Sequence, residues 1–241
     1  MKPRQVFEFN EPVVGRRLQL LRLGPQHADY MHTSFADEQF WSAYRSNQNR
    51  ALSRAELRNR LEIESENSPQ ALGKIEWVIQ AVGTASDDSG SPIGFAGLTA
   101  IDTAQGRAEF LLGIPRPAHR KPGVGLEASL LLFDYAFNRL RLHKLLSYVY
   151  ADNETAQRNT RSLGFAQEGY LRAHFRREGD SSFKDVYLNG LLQSEFRQSR
   201  RLSNLSRRLL NKDITAPVST VVESTGSVGL GEIRASFEIS N

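Results

Sequence analysis

The chain has no cysteine among its 241 residues. Disulfides, thiolate metal sites and a cysteine nucleophile are therefore excluded. No apolar run approaches the roughly 18 residues that a membrane-spanning helix needs. The N-terminal stretch MKPRQVFEFNEP carries acidic residues and lacks an apolar centre, which does not fit a signal peptide. Histidines stand at 27, 32, 119, 143 and 174, without metal-ligand spacing, so no metal is expected. No internal repeat is visible. No basic stripe interleaved with aromatics speaks for nucleic acid. These absences suit a protein of the reducing cytoplasm.

What is present belongs to an ordinary globular chain, with 39% hydrophobic and 24% charged residues. The length allows one large domain, or one domain with an appendage. The formal net charge of +4 favours anionic partners, coenzyme A phosphates among them.

Residues 1–15 read as a polar arm. Arg16–Leu23 alternates as a strand does, and Gly24-Pro25 ends it before a helix reaching the Met31 region. Ser53-x-x-Glu56 is a capping-box pattern, with Leu57 and Leu61 at helical spacing, so a helix is predicted near 53–65. Ile75–Val82 and Ile93–Ile101 flank a turn-rich GTASDDSGSP and read as a hairpin. A third strand, Ala108–Ile114, stops at Pro115 and Pro117. A buried helix follows from about Leu126 to Leu140, then a strand at Lys144–Tyr150. A further helix ends at Leu163-Gly164-Phe165, and Tyr170–Leu192 reads as two strands about the EGDSS turn. The fold class is therefore α/β of the α+β kind, with a mixed, mostly antiparallel sheet.

After residue 193 the character changes. Arg197, Arg200, Arg201, Arg207 and Arg208 against Leu202, Leu205 and Leu209 form a basic amphipathic pattern. Residues 214–241 are rich in Ser, Thr, Val and Gly, with Ile233, Phe237 and Ile239 on one face of a period-2 pattern. The expected organisation is a domain over 1–192 and an extension over 193–241.

The segment richest in chemistry is His119-Arg120-Lys121-Pro122-Gly123-Val124-Gly125-Leu126, between a strand and a helix. Glycines there allow close backbone approach, and the amides opening the next helix favour an anion. Arg120 and Lys121 add charge. The segment is neither a Walker loop nor G-x-G-x-x-G. By itself it is either a pyrophosphate cradle or an ordinary connection.

Arg120-x-x-Gly123-x-Gly125, then Asn153-x-x-Ala156, Leu163-Gly164-Phe165, Glu168-Gly169 and Gly179 before Asp185 follow one another in order. This series resembles the GNAT acetyltransferase superfamily, and within it the RimJ/RimL branch, which acetylates protein N-termini and small amines. The likeness covers roughly residues 14–192. It implies the GNAT fold: a splayed sheet flanked by helices, with acyl-CoA between the fourth and fifth strands, Ala108–Ile114 and Lys144–Tyr150. It also implies that the backbones of Leu112 and Ile114 pair with the pantetheine amides. The amides of Gly123, Val124, Gly125 and Leu126, with Arg120 and Lys121, would hold the pyrophosphate. Asn153 would bind pantetheine or an ordered water. Pro122 departs from the pattern, because a basic residue usually stands there and proline removes a donor.

An amine attacking a thioester must be neutral, and the leaving thiolate gains from a proton donor. Glu109 is the candidate base; the bland alternative is a structural or surface carboxylate. Where relatives often carry a Tyr donor this chain has Thr160, and where some carry Ser it has Ala156. Thr160 is the remaining candidate for proton relay. Phe40, Trp41 and Tyr44 either line the acceptor side or pack as core. The expected activity is N-acyl transfer from acetyl-CoA, or a longer acyl-CoA, to an amine of a protein N-terminus, peptide or small molecule. Two other readings compete: a non-catalytic acyl-CoA-binding scaffold, and an extension that docks a peptide, carrier protein or second subunit. A homodimer is one expected assembly.

Overall fold

The period-2 alternation of the central strands sends their apolar side chains to two opposite faces. In β3 (Ile75–Ala81), Ile75, Trp77 and Ile79 join one core and Val78 the other, where Phe95 of β4 (Pro92–Asp102) meets it. The sheet is thus buried on both sides. The computed structural model describes residues 9–44, 52–82, 90–177 and 180–217. Within them β3 and β4 belong to an eight-stranded sheet, with β1 (Val13–Val14), β2 (Leu18–Arg22), β5 (Arg107–Gly113), β6 (Lys144–Tyr150), β7 (Ala166–Phe175) and β8 (Lys184–Leu192). Its spatial order is β1-β2-β3-β4-β5-β6-β8-β7.

All neighbouring strands are antiparallel except β5 and β6. Their parallel ladder is short: Arg107 with Lys144, Ala108 with Leu145, Glu109 with Leu146. Beyond it β5 stays on β4 as far as Gly113, opposite Phe95, while β6 stays on β8 as far as Tyr150, opposite Val186. Phe110–Gly113 and Ser147–Tyr150 therefore part from one another, and the sheet splays open there.

One face carries α1 (Ala28–Phe35), α2 (Glu38–Tyr44) and α3 (Arg54–Glu66), whose Met31, Phe35, Trp41 and Leu61 pack on Val78 and Phe95. The other carries α5 (Val124–Asp134), prolonged by a π-helical turn at Tyr135–Arg139 and buried nearly all round. α6 (Glu154–Ser162) follows β6. It is tied to β8 by a buried amide pair: Gln157 Nε2 donates to Asn189 Oδ1 at 2.9 Å, and Asn189 Nδ2 to Gln157 Oε1 at 3.1 Å.

Several local expectations hold. Ser53 and Glu56 cap α3 reciprocally. Gly164, at φ +95°, ends α6 in the left-handed conformation that glycine permits. Others need correction. The polar arm contains β1, so the parting strands are the fifth and sixth. β7 starts at Ala166 rather than Tyr170, and the helix after the basic loop starts at Val124. The helices α2 and α4 (Pro69–Leu72) were not expected; both are short, and α4 is set by the Ser68 cap and Pro69. The basic amphipathic segment is two helices, α7 (Gln193–Gln198) and α8 (Arg200–Leu210), broken where the Ser199 hydroxyl accepts from the Leu202 amide. Phe196, Leu202, Leu210 and Ile214 enter the same core as α5, so this part of the extension packs on the domain. Gly179 and the pattern at Ile233, Phe237 and Ile239 lie outside the described residues.

Candidate active site

Where β5 and β6 part, a cleft of about 480 Å³ opens. Phe110 and Leu112 line it from β5, Tyr148 and Tyr150 from β6, Gly125 from α5 and Thr160 from α6. It leads into a wider mouth bordered by Phe40, Tyr44, Gly113, Ile114, Arg120 and Lys121. Backbone groups of Phe110–Gly113 that face β6 have no strand opposite them there, which is the arrangement an extended amide-bearing ligand can complete.

The basic loop ends on the N-terminus of α5. Gly123 caps the helix at φ +84°, and the Glu127 amide is the one that bonds back to the Gly123 carbonyl, at 2.8 Å. The amides of Gly125 and Leu126 precede it and belong to the helix end that has no internal acceptors. A Cβ on Gly125 would find its nearest neighbour, Leu112 Cδ2, only at 3.9 Å. Packing therefore does not require glycine there, and the open space beside the amides fits a phosphate-bearing ligand. Arg120 is engaged differently from expectation. Its Nε donates to the Ile114 carbonyl at 2.9 Å and its Nη2 to the Pro115 carbonyl at 2.9 Å, so the guanidinium braces the strand end against the loop. Lys121 lines both the cleft and its mouth.

Asn153 caps α6 by accepting from the Ala156 amide at 3.0 Å. That bond is a structural reason for the Asn153-x-x-Ala156 spacing. Asn153, Ala156 and Thr160 all line the cleft, and Thr160 is buried. Glu109 sits at the last β5–β6 pair, the closed end of the opening, and accepts from the Thr99 hydroxyl at 3.3 Å. It is not among the residues lining the cleft. Phe40 and Tyr44 stack on each other at 5.4 Å and bear on Gly113, where a Cβ would lie 2.8 Å from Phe40 Cε2 and 2.6 Å from Tyr44 Cδ2. Trp41 is separated from them: it lines a small cavity with Met31, Phe35 and Leu57. No group of three or more potential metal ligands occurs among the described residues.

Residues 17–166 match the family described as Acetyltransferase (GNAT) domain. That stretch is more than half of the chain. The chain belongs to the GNAT acetyltransferase family. Among curated relatives, an uncharacterized N-acetyltransferase p20 of Bacillus licheniformis is 35% identical over 104 residues, 43% of this chain and 57% of that protein. A spermidine N(1)-acetyltransferase of Escherichia coli strain K12 is 37% identical over 86 residues, 36% of this chain and 46% of that protein. The chain thus spans about half the length of the curated relatives it matches. The crystal structure of spermidine N-acetyltransferase from Vibrio cholerae, in complex with CoA and spermine, superposes with a TM-score of 0.63 at 23% identity, covering 74% of this chain and 97% of that one. At that identity the likeness concerns the fold, which is the splayed GNAT sheet.

Six residues in and around the cleft escaped the sequence reading. Tyr148 and Tyr150 bring phenols to the cleft from β6, where the run KLLSYVY reads only as a strand. The Arg177 guanidinium lies 4.1 Å from the Tyr150 ring centroid and bonds both carboxylate oxygens of Asp152. That pairing holds the Asp152 carboxyl below the usual range. Glu127 and Arg17 form the support of the loop. Glu127 has no solvent exposure and accepts from the amides of Arg17 (2.7 Å) and Leu18 (3.2 Å) and from Arg17 Nε (2.8 Å). Separation by 110 positions hides such a pair from any local pattern. Among the described residues no helix is long and apolar enough to cross a membrane.

Proposed function

We propose that the protein transfers the acetyl group of acetyl-CoA to one primary amine, on a small molecule, a peptide or a protein N-terminus. The carrying observation is that the unpaired reach of β5 and the open N-terminus of α5 border one cleft. In this reading the pantetheine arm lies along β5 beside Leu112 and Ile114, and the diphosphate meets the amides of Gly125 and Leu126. The amine nitrogen attacks the thioester carbonyl carbon. The C–N bond forms, the C–S bond breaks, the amine proton leaves to a base and the thiolate takes up a proton.

Glu109 is the base of this proposal, reached through water from the closed end of the opening. Thr160 and Tyr150 are its proton donors, on the ground that both line the cleft. Phe40 and Tyr44 are the acceptor-side residues, and Trp41 is a packing residue. The RimJ/RimL branch, a cytoplasmic setting and a homodimer belong to the same proposal; β7, an edge strand with largely exposed side chains, supports the last.

The test is thiol release from acetyl-CoA with a panel of monoamines, peptides and polyamines, and mass spectrometry of the products. Acetylated monoamine or peptide is the expected result, and Glu109→Gln should lower turnover while leaving coenzyme affinity nearly intact. Tight coenzyme binding without turnover on any amine would replace the enzyme with a binding protein.

A further inference from the structure

The β5–β6 ladder closes at the pair Glu109–Leu146, so Ser147 is the first residue of β6 beyond it. Alternation along β6 puts Leu145, Ser147 and Val149 on one face, and Leu145 enters the core that α5 shares. Ser147 therefore faces α5 and α6. Its partner on β8 is Asn189, whose side chain is paired with Gln157 of α6. One turn further along α6, on the same buried face, stands Thr160. Ser147 and Thr160 both line the cleft, at 6% and 8% exposure.

Neither hydroxyl has a hydrogen-bond partner among the described residues. Their polar neighbours are all engaged. Gln157 and Asn189 bond each other, Asn189 also donates to the Ser147 carbonyl at 3.3 Å, and the Ser129 and Ser162 hydroxyls donate to the carbonyls of Gly125 (2.7 Å) and Asn159 (2.8 Å). A buried hydroxyl without a partner is uncommon, and here the cleft offers it only a ligand atom or water. Which ligand atom follows from the direction of the cleft. With the diphosphate at Gly125, where the strands have parted, the pantetheine arm runs along β5 towards the closed end. Its sulfur end is the one that comes level with Phe110 and Ser147. Ala108 and Phe110 enter the core on the α5 side, so Glu109 between them points to the opposite face, where Thr99 meets it. An amine deprotonated on that side leaves the sulfur on the side of Ser147.

We infer that the Ser147 hydroxyl, beside Thr160, donates a hydrogen bond to the coenzyme sulfur and stabilises the thiolate as it leaves. The inference rests on the acetyl-CoA reading above and adds a catalytic residue to it. As the C–S bond breaks, its electron pair stays on sulfur, where a donor already in place lowers the barrier. Ser147 keeps its own proton, since an alcohol is a far weaker acid than a thiol. The proton that neutralises the sulfur comes from water by way of Thr160.

Raman spectroscopy of the CoA complex tests it. The chain has no cysteine, so the S–H band belongs to the ligand alone. Followed against pH, this band should vanish about one pH unit lower in wild type than in Ser147→Ala, because a donor aimed at sulfur favours its charged form. Ser147→Ala should also lower kcat about tenfold and leave KM for acetyl-CoA nearly unchanged. It should melt no lower than wild type, because it removes a hydroxyl that has no partner. Ser147→Thr, which keeps the hydroxyl, should keep the wild-type titration. The same S–H titration in wild type and Ser147→Ala would overturn the assignment to sulfur, even if turnover fell. A lower melting temperature of Ser147→Ala would give the hydroxyl a structural partner and overturn it too. Wild type that binds no CoA would instead overturn the acetyl-CoA reading itself.

Discussion

The Arg17 guanidinium bonds the fully buried Glu127 carboxylate at 2.8 Å and at the same time lies against the backbone of Gly123. One ion pair thereby joins the start of β2, the first turn of α5 and the glycine loop before it. Glu127 also serves as acceptor for the two amides that open β2, standing in for a missing strand neighbour. Its position near the N-terminus of α5 suits a negative charge.

Removing Glu127 should therefore be costly. Glu127→Ala leaves two buried amides without an acceptor and is expected to lose about 3–5 kcal/mol of stability in urea unfolding. Arg17→Ala should lose less, because the side chain is 46% exposed and the carboxylate keeps both amides. The reverse order would show that the guanidinium, not the amide pair, governs the site.

The two loop glycines should respond in opposite senses. Gly123→Ala forces a left-handed residue and a methyl 2.8 Å from Arg17 Nη2, at a cost of about 1–3 kcal/mol. Gly125→Ala meets open space within a helix and should raise stability by up to about 1 kcal/mol. It should nevertheless weaken acetyl-CoA binding by about tenfold, since the methyl fills the space beside the amides. Thermal denaturation and calorimetry on the same samples separate the effects.

Gly113→Ala drives a methyl into Phe40 and Tyr44, and overpacking of this kind costs about 1–3 kcal/mol. Combining it with Phe40→Leu should recover part of the loss. A double-mutant cycle with no coupling would mean that the rings do not rest on the strand as described.

The Asp213 carboxylate accepts from the Ser203 hydroxyl at 2.6 Å, from Thr215 and from Arg207. These bonds, Ser203 first, hold its pKa down to about 2. Because the folded value lies below the unfolded one, about 3.9, its stabilisation is present above about pH 4 and is lost as pH falls towards 2. Asp213→Asn should lower the melting temperature at neutral pH, and the gap to wild type should close over that acid window. A gap independent of pH would assign the effect to shape rather than charge.

Much of this architecture was legible because it is local. Alternation in Ile75–Val82 and the glycines before the buried helix mark a strand and the start of a helix with no knowledge of neighbours. Ser53 and Glu56 likewise cap a helix three residues apart. The site is less legible where partners are remote. Nothing near Glu127 announces Arg17. The expectation for Arg120 illustrates the same limit. A guanidinium beside glycines reads as a free charge, and only the folded chain reveals the carbonyls of Ile114 and Pro115 that it binds. Phe40, Trp41 and Tyr44 look equivalent as a cluster, yet Phe40 and Tyr44 share one face of α2 and the single-residue step to Trp41 turns its ring to another cavity.

The sheet is, mechanically, two leaves on a narrow spine. Three residue pairs are the whole ladder between the five-stranded leaf and the three-stranded one. So short a seam resists opening weakly, and the gape of the leaves must be set from behind. Phe110 and Phe165 both rest on Phe133, with ring centroids 5.5 and 5.8 Å from it, and so wedge that spine from the α5 side. The width of the cleft is in this sense a property of the hydrophobic core, and drift in the volume at Phe133 over evolution would retune it from a position that does not line it.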